Sequence, residues 1–130
     1  MSHAAGSFEV VLKPLPTECA PEGRVLSRMS LDKRFHGDLE GTSSGEMLAV
    51  MTATSGSAGY VAMEFVTCAL HGRPGTFVFQ HSSTMTRGIP VQSVTVVPDS
   101  GTDGLAGLTG RMVIIVEGGA HSYEFDYQLG

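Results

Sequence analysis

Residues 121–129 read His-Ser-Tyr-Glu-Phe-Asp-Tyr-Gln-Leu and alternate strictly between ring-bearing or apolar side chains and polar ones. A period of two is typical of a β-strand that buries one face and exposes the other. The buried face of this strand would carry His121, Tyr123, Phe125 and Tyr127. The polar face would point to solvent.

The same period recurs along the rest of the chain, and about eight strands are predicted. They cover residues 5–13, 24–36, 46–54 (after a short pleated stretch at 37–41), 60–70, 76–84, 91–97, 111–117 and 121–129. The 17 glycines and the absence of tryptophan fit strands joined by tight turns. Residues 105–108 form at most one turn of 3₁₀ helix. The predicted fold is therefore an all-β, eight-stranded antiparallel barrel in a single domain, residues 1–130.

Composition excludes several classes of function. A net charge of −5 with eight Lys and Arg residues argues against nucleic acid as a partner. We find no apolar run of the ~18–20 residues that a membrane helix needs, so we expect no membrane partner. The first residues do not resemble a secretory signal, which predicts a cytoplasmic protein. Cys19 and Cys68 show no metal-ligand spacing, so neither a metal nor a cofactor is expected.

Several stretches of the chain share one recognisable pattern. They include Ala-Gly-Ser-Phe-Glu-Val at 5–10, Gly-Arg-Pro-Gly-Thr-Phe-Val-Phe-Gln-His at 72–81 and His-Ser-Tyr-Glu-Phe-Asp-Tyr at 121–127. Together they resemble a family of small bacterial proteins known as domain of unknown function 3224. The similarity runs through nearly the whole chain in one order. It implies an eight-stranded barrel similar to that of allene oxide cyclase, in which an apolar cavity steers a reactive small molecule through ring closure.

Glu64 is the first candidate catalytic residue, because it interrupts an otherwise apolar strand. A carboxyl group buried there without a partner would have a raised pKa and could act as a general acid. The alternative is an ion pair with Arg73 or Arg111 at the rim of the barrel.

Gln80 and His81 are the other two candidates for catalysis, and they are neighbours on the strand 76–84. Since successive side chains point to opposite faces, only one of them can enter the barrel. His81 shares its face with Phe77 and Phe79 and could shuttle a proton. Histidines at such positions are more often core residues bonded to a backbone carbonyl, and that is the alternative. Gln80, if inward, could polarise a ligand oxygen.

A larger set of side chains is predicted to line a ligand cavity. It consists of Tyr123, Tyr127, His121, Phe125, Phe77, Phe79 and Met29. The same rings could instead fill the barrel as a solid core, and both interpretations stay open at this point. Met47, Met51 and Met63 are expected to face the interior.

These observations predict a barrel that binds a hydrophobic small molecule, with a cofactor-free cyclisation or isomerisation as the candidate reaction. The alternatives are a non-catalytic carrier or scavenger of apolar metabolites, and a purely structural barrel with a solid core. Both faces of residues 60–70 and 111–117 are rich in apolar side chains. We therefore expect a homo-oligomer, with a dimer favoured.

Overall fold

A computed structural model of the protein describes residues 1–17 and 26–130. Eight antiparallel strands follow one another around a closed barrel, and each strand pairs with the next along the chain. The strands are β1 (Ser2–Leu15), β2 (Leu26–Gly37), β3 (Leu39–Met51), β4 (Ala58–Leu70), β5 (Arg73–Thr86), β6 (Ile89–Val96), β7 (Thr109–Glu117) and β8 (Ala120–Gln128). The predicted fold class is confirmed.

The barrel closes where β1 pairs with β8, from Ser2 opposite Tyr127 to Phe8 opposite His121. The seam between β6 and β7 is much shorter, with only two opposed pairs of residues. Beyond it the side-chain amide of Gln92 takes the place of a backbone partner. Its nitrogen donates to the carbonyl of Ile114 at 3.1 Å, and its oxygen accepts from the Ile114 amide at 2.9 Å.

The third strand corrects a sequence prediction. Residues 37–41 and 46–54 were expected as separate pieces, but β3 runs without interruption from Leu39 to Met51. A side chain at Gly41 would place its Cβ 2.2 Å from the Thr67 carbonyl oxygen, and one at Gly45 would place it 1.9 Å from that of Met63. These glycines allow β4 to approach closely, and they do not mark turns.

Other boundaries also differ from the prediction. Strand β1 continues through Pro14 to Leu15, and the 3₁₀ helix spans Asp103–Leu105, earlier than the expected residues 105–108. Cys19 and the first residues of the predicted strand 24–36 lie outside the described residues.

The two ends of the barrel are built differently. At one end lie both chain termini, the turns at Asp38 and at residues 71–72, and the connector 97–108. Four leucines that are at most 1% exposed fill this end: Leu39, Leu70, Leu105 and Leu108. We call it the closed end. Among the described residues, the opposite end carries the turns at 52–57, 87–88 and 118–119, and we call it the open end.

The outer surface holds a methionine that the sequence placed inside. Met63 is 42% exposed on the outer face of β4, so the prediction that it faces the interior is wrong. Met51 shares its face of β3 with Met47, but it ends the strand at the open end and is 72% exposed, so it does not fill the interior. Met63 joins Leu48, Val61 and Phe65, which are 42–62% exposed, in an outer band on β3 and β4. They point outward because their neighbours in each strand fill the interior. Met47 faces inward and is half-buried.

Within the described ranges, no helix is both long and apolar enough to cross a membrane.

Candidate functional site

A cavity of about 290 Å³ lies inside the barrel at its open end. Its apolar wall includes Phe8, Val10, Leu31, Met47, Ala62 and Ile114. Its polar lining consists of Lys33, Tyr60, His81 and His121. The volume lies at the lower limit of the ~300–1,000 Å³ usual for ligand sites, so it suits one small molecule.

A buried polar cluster meets this cavity, and Glu64 is its centre. The Glu64 side chain is completely buried, and its Oε1 accepts a hydrogen bond from the Ser43 hydroxyl at 2.5 Å. Its Oε2 lies 3.2 Å from Lys33 Nζ and 2.6 Å from His81 Nε2. Lys33 and His81 are themselves 7% and 4% exposed. Four polar side chains from four strands thus converge in the barrel interior.

Strand register explains why these groups meet. Lys33 on β2 stands directly opposite Ser43 on β3, so both project into the barrel side by side. Glu64 on β4 stands opposite Gly45, two residues further along β3. On the other side of β4, Ala62 stands opposite His81 of β5. The alternation of each strand therefore brings the cluster together without any loop.

The ionisation of Glu64 follows from its surroundings. Burial raises the pKa of this carboxyl, but the hydrogen bond from His81, the charge of Lys33 and the hydrogen bond from Ser43 lower it. The net result is a pKa below the ordinary value of 4.5. Glu64 is therefore a carboxylate at neutral pH, and the predicted general acid with a raised pKa is wrong.

The structure also resolves the alternatives for Gln80 and His81. Gln80 is exposed on the outer face of β5, since its side chain alternates with the buried Phe79 and His81. Its predicted role inside the barrel is therefore wrong. His81 faces inward, and its Nε2 bonds Glu64 instead of a backbone carbonyl. Arg73 and Arg111 are not the ionic partners of Glu64; Lys33 is.

Most of the predicted ligand-lining rings form a solid core below the cavity. Phe77, Phe79 and Phe125 pack with ring centroids 4.8 to 6.1 Å apart and are at most 1% exposed. The Tyr123 hydroxyl accepts from the Leu39 amide at 2.9 Å, and the Tyr127 hydroxyl bonds His71. These five rings do not border the cavity, because they pack against each other and against the closed end.

His121 is the member of the predicted ligand-lining set that borders the cavity. Its ring lies 5.1 Å from that of Phe8. Met29 is half-buried opposite Met47, close to the open end, but it is not part of the wall.

Sequence reasoning missed Lys33 and Ser43 as partners of Glu64. A signal for Lys33 was present, because period two places it on the apolar face of its strand beside Leu31 and Phe35. A buried charge needs a partner, so a lysine on this face and a glutamate in another apolar strand indicate an ion pair between them. Ser43 gave no comparable signal, since it lies in a run of small polar residues.

Across residues 1–17 and 26–130, no group of three or more His, Cys, Asp or Glu side chains could hold a metal ion. Glu64 Oε2 and His81 Nε2 instead form a hydrogen bond with each other.

Comparison with known proteins places the chain in a family. The family model described as "Protein of unknown function (DUF3224)" matches residues 4–127. The chain belongs to the DUF3224 family. A crystal structure of a DUF3224 protein of unknown function from Shewanella oneidensis MR-1 is similar over 100% of this chain and 98% of the other, with 47% identity and a TM-score of 0.96. No curated protein matches.

These matches establish the DUF3224 fold and family, and the resemblance noted in the sequence is confirmed to that extent. The further likeness to allene oxide cyclase stays a prediction. The relative is itself described as a protein of unknown function, so the chemistry of this DUF3224 member must be argued from its own cavity.

Proposed function

We propose that this protein binds a small apolar molecule carrying an acceptor oxygen in the cavity at the open end. The observation that supports this most is the pairing of an apolar wall with a buried ammonium group at one point of the lining. Apolar surface provides the affinity, and a few fixed polar groups orient the ligand.

The hydrogen-bonding capacity of the cluster favours an acceptor on the ligand. Both oxygens of Glu64 are already occupied by Ser43, Lys33 and His81. The Lys33 ammonium has three N–H donors and gives one to Glu64. No other hydrogen bond from Lys33 occurs within the described residues. Lys33 therefore offers donors to a ligand, whereas Glu64 has little acceptor capacity left.

Charge balance favours a neutral ligand. Glu64 and Lys33 cancel each other, so a ligand carboxylate would add an uncompensated buried charge. A ligand ammonium would meet Lys33 as a like charge. A ketone, aldehyde or ester accepts a hydrogen bond without either cost. This class is also compatible with the carrier or scavenger that the sequence suggested.

Calorimetric titration with 2-nonanone, nonylamine and nonanoate tests the proposal. We expect saturable binding of the ketone at one equivalent and weaker binding of nonylamine and nonanoate. Ala62→Leu fills the cavity wall and should abolish ketone binding. Ala69→Leu, on the outer face of the same strand, is the matched control and should leave it intact. Equal binding to both variants, or none to the wild type, would refute the site.

A cofactor-free isomerase or cyclase is the second candidate, because the pair of His81 and Glu64 borders the cavity. Catalysis in such a site would draw mainly on the positioning of the substrate. Because Glu64 is a carboxylate, it does not supply the proton in such a reaction.

A homodimer in the cytoplasm completes the proposal. The outer band of Leu48, Val61, Met63 and Phe65 is flanked by the exposed ion pair of Arg28 with Glu46. A second copy related by a twofold axis would cover the apolar band and present the opposite charges reciprocally. Stable interfaces bury about 800 Å² per partner. Light scattering should report a dimer that Phe65→Asp dissociates and Thr67→Asp, further along β4, does not; a wild-type monomer would contradict it.

A further inference from the structure

The hydrogen bonds of Glu64 fix the tautomer of His81. A carboxylate only accepts hydrogen bonds, so His81 Nε2, 2.6 Å from Glu64 Oε2, must carry the proton. In neutral His81 the lone pair then lies on Nδ1. Nδ1 makes no hydrogen bond to any residue in the described parts of the chain. The second ring nitrogen of His81 is thus not engaged by the described residues, and in the neutral ring it is the basic site.

Lys33 stands beside this base. Its ammonium and the His81 ring share Oε2 of Glu64 as their hydrogen-bonding partner. Lys33 Nζ also lies 4.8 Å from the centroid of the Phe8 ring, which belongs to the cavity wall. Lys33 and His81 therefore lie side by side on the lining of a cavity whose other polar side chains are Tyr60 and His121.

Lys33 and His81 are arranged to move a proton at the carbon next to a carbonyl group. We propose that the protein isomerises apolar β,γ-unsaturated ketones to their conjugated isomers, with His81 as the base and Lys33 as the donor to the substrate oxygen. The inference rests on the binding function proposed above and names the substrate class and reaction of that same cavity.

The reaction balances without a cofactor. His81 Nδ1 takes the α-proton, and the C–H electron pair forms a C=C bond while the carbonyl π pair moves to oxygen. The dienolate oxygen accepts hydrogen bonds from the Lys33 ammonium. The imidazolium then returns the proton to the γ-carbon, which restores the C=O bond and shifts the double bond into conjugation. The substrate is neither oxidised nor reduced, and His81 ends neutral.

Glu64 serves this reaction as a positioning residue. Its carboxylate holds the Nε2–H of His81 and stabilises the imidazolium that forms when Nδ1 takes the proton. Ser43 fixes the other oxygen of that carboxylate at 2.5 Å. The charged groups beside His81 are therefore the Glu64 carboxylate and the Lys33 ammonium bonded to it, and neither makes a hydrogen bond to His81 Nδ1.

The test uses the full chain and 4-tert-butyl-3-cyclohexen-1-one, whose conjugated isomer is followed by its ultraviolet absorbance. The absence of tryptophan from the chain lowers the protein background in this assay. We expect saturable turnover above the buffer rate. His81→Gln keeps an N–H that can bond Glu64 but has no basic nitrogen, and it should slow turnover by about 100-fold or more. Gln80→Ala, on the outer face of the same strand, should leave the rate unchanged.

A second measurement keeps the result clear if His81→Gln folds poorly. The wild-type protein in D₂O should speed exchange of the α-hydrogens of 4-tert-butylcyclohexanone, followed by proton NMR, while calorimetry reports binding of the same ketone. Binding without exchange or isomerisation overturns this inference and leaves the binding function standing. An absence of binding overturns both. Equal rates for His81→Gln and the wild type would remove His81 from the mechanism.

Discussion

The closed and open ends of the barrel use the same alternating strands for different purposes. At the closed end, Phe77, Phe79 and Phe125 are at most 1% exposed and pack ring against ring. At the open end, inward-facing side chains such as Leu12 and Val116 are still 43% and 61% exposed. Stability is thus concentrated at one end, which leaves the other end able to hold a cavity. The polar cluster around Glu64 lies where the two meet.

The largest expected effect comes from breaking this cluster. Glu64→Gln leaves the Lys33 ammonium buried without a counter-charge, and loss of one member of a buried pair costs about 3–5 kcal/mol of unfolding free energy. Glu46→Gln is the matched control, because its partner Arg28 lies on the exposed outer face, and exposed pairs contribute about 0–1 kcal/mol. Urea denaturation measures both. Equal losses would show that burial does not distinguish the two pairs.

A double variant sharpens the same point. Lys33→Met in the Glu64→Gln background removes the orphaned charge and should recover part of the lost stability. A further loss would mean that Lys33 stabilises the fold through contacts other than Glu64, such as its position 4.8 Å from the Phe8 ring.

The second prediction compares one substitution at the two ends. Leu70 is fully buried at the closed end, so Leu70→Ala should lower the unfolding free energy by about 2–5 kcal/mol. Leu12→Ala at the open end should cost about 0.5 kcal/mol or less if the site behaves like ordinary surface. Denaturant midpoints at unchanged m-value give the comparison. A large loss from Leu12→Ala would mean that the open end is packed as tightly as the closed one.

A smaller effect is expected from one hydroxyl at the closed end. The Tyr123 oxygen accepts the Leu39 amide at 2.9 Å and lies 2.9 Å from the His36 carbonyl, to which it can donate. Tyr123→Phe keeps the ring but leaves that buried amide without a partner, at a cost of about 1–3 kcal/mol. Thermal unfolding should show the loss while ketone binding at the open end is retained. A loss of binding with unchanged stability would contradict the separation of the two ends.

The sequence predicted the closed end far better than the open one. Alternation alone placed Tyr123, Phe125 and Tyr127 on the inward face, because a strand has no other way to bury a ring. It left open which of Gln80 and His81 enters the barrel. Alternation does not show how deep each inward side chain lies along the barrel axis, because that depends on the stagger between strands. The same rings were therefore assigned to a cavity wall that is in fact built by Phe8 and Leu31.

The misassigned methionine and glycine positions have a related physical cause. Met63 was placed inside because its strand is apolar on both faces, and composition then carries no information about direction. Gly41 and Gly45 lie in and beside the gap that the sequence predicts between residues 37–41 and 46–54, but in the structure they admit the backbone of β4 at close range. The partners of Glu64 depended on the register between strands, which residue patterns within one strand do not encode.

The smallest expected effect is on the pH dependence of the unfolding free energy in acid, and it reports on the cluster around Glu64. Because the folded-state pKa of Glu64 lies below 4.5, the unfolded chain binds its proton first as the pH falls. The contribution of Glu64 is therefore complete above that value and is lost as the pH drops through the folded-state pKa. Wild-type unfolding free energy should fall more steeply below pH 4.5 than that of Glu64→Gln. Glu117→Gln, at an exposed position in β7, should keep the wild-type slope. Parallel curves for wild type and Glu64→Gln would show that the carboxylate gains nothing from Lys33 and His81 on folding, and the assignment of the His81 tautomer would lose its support.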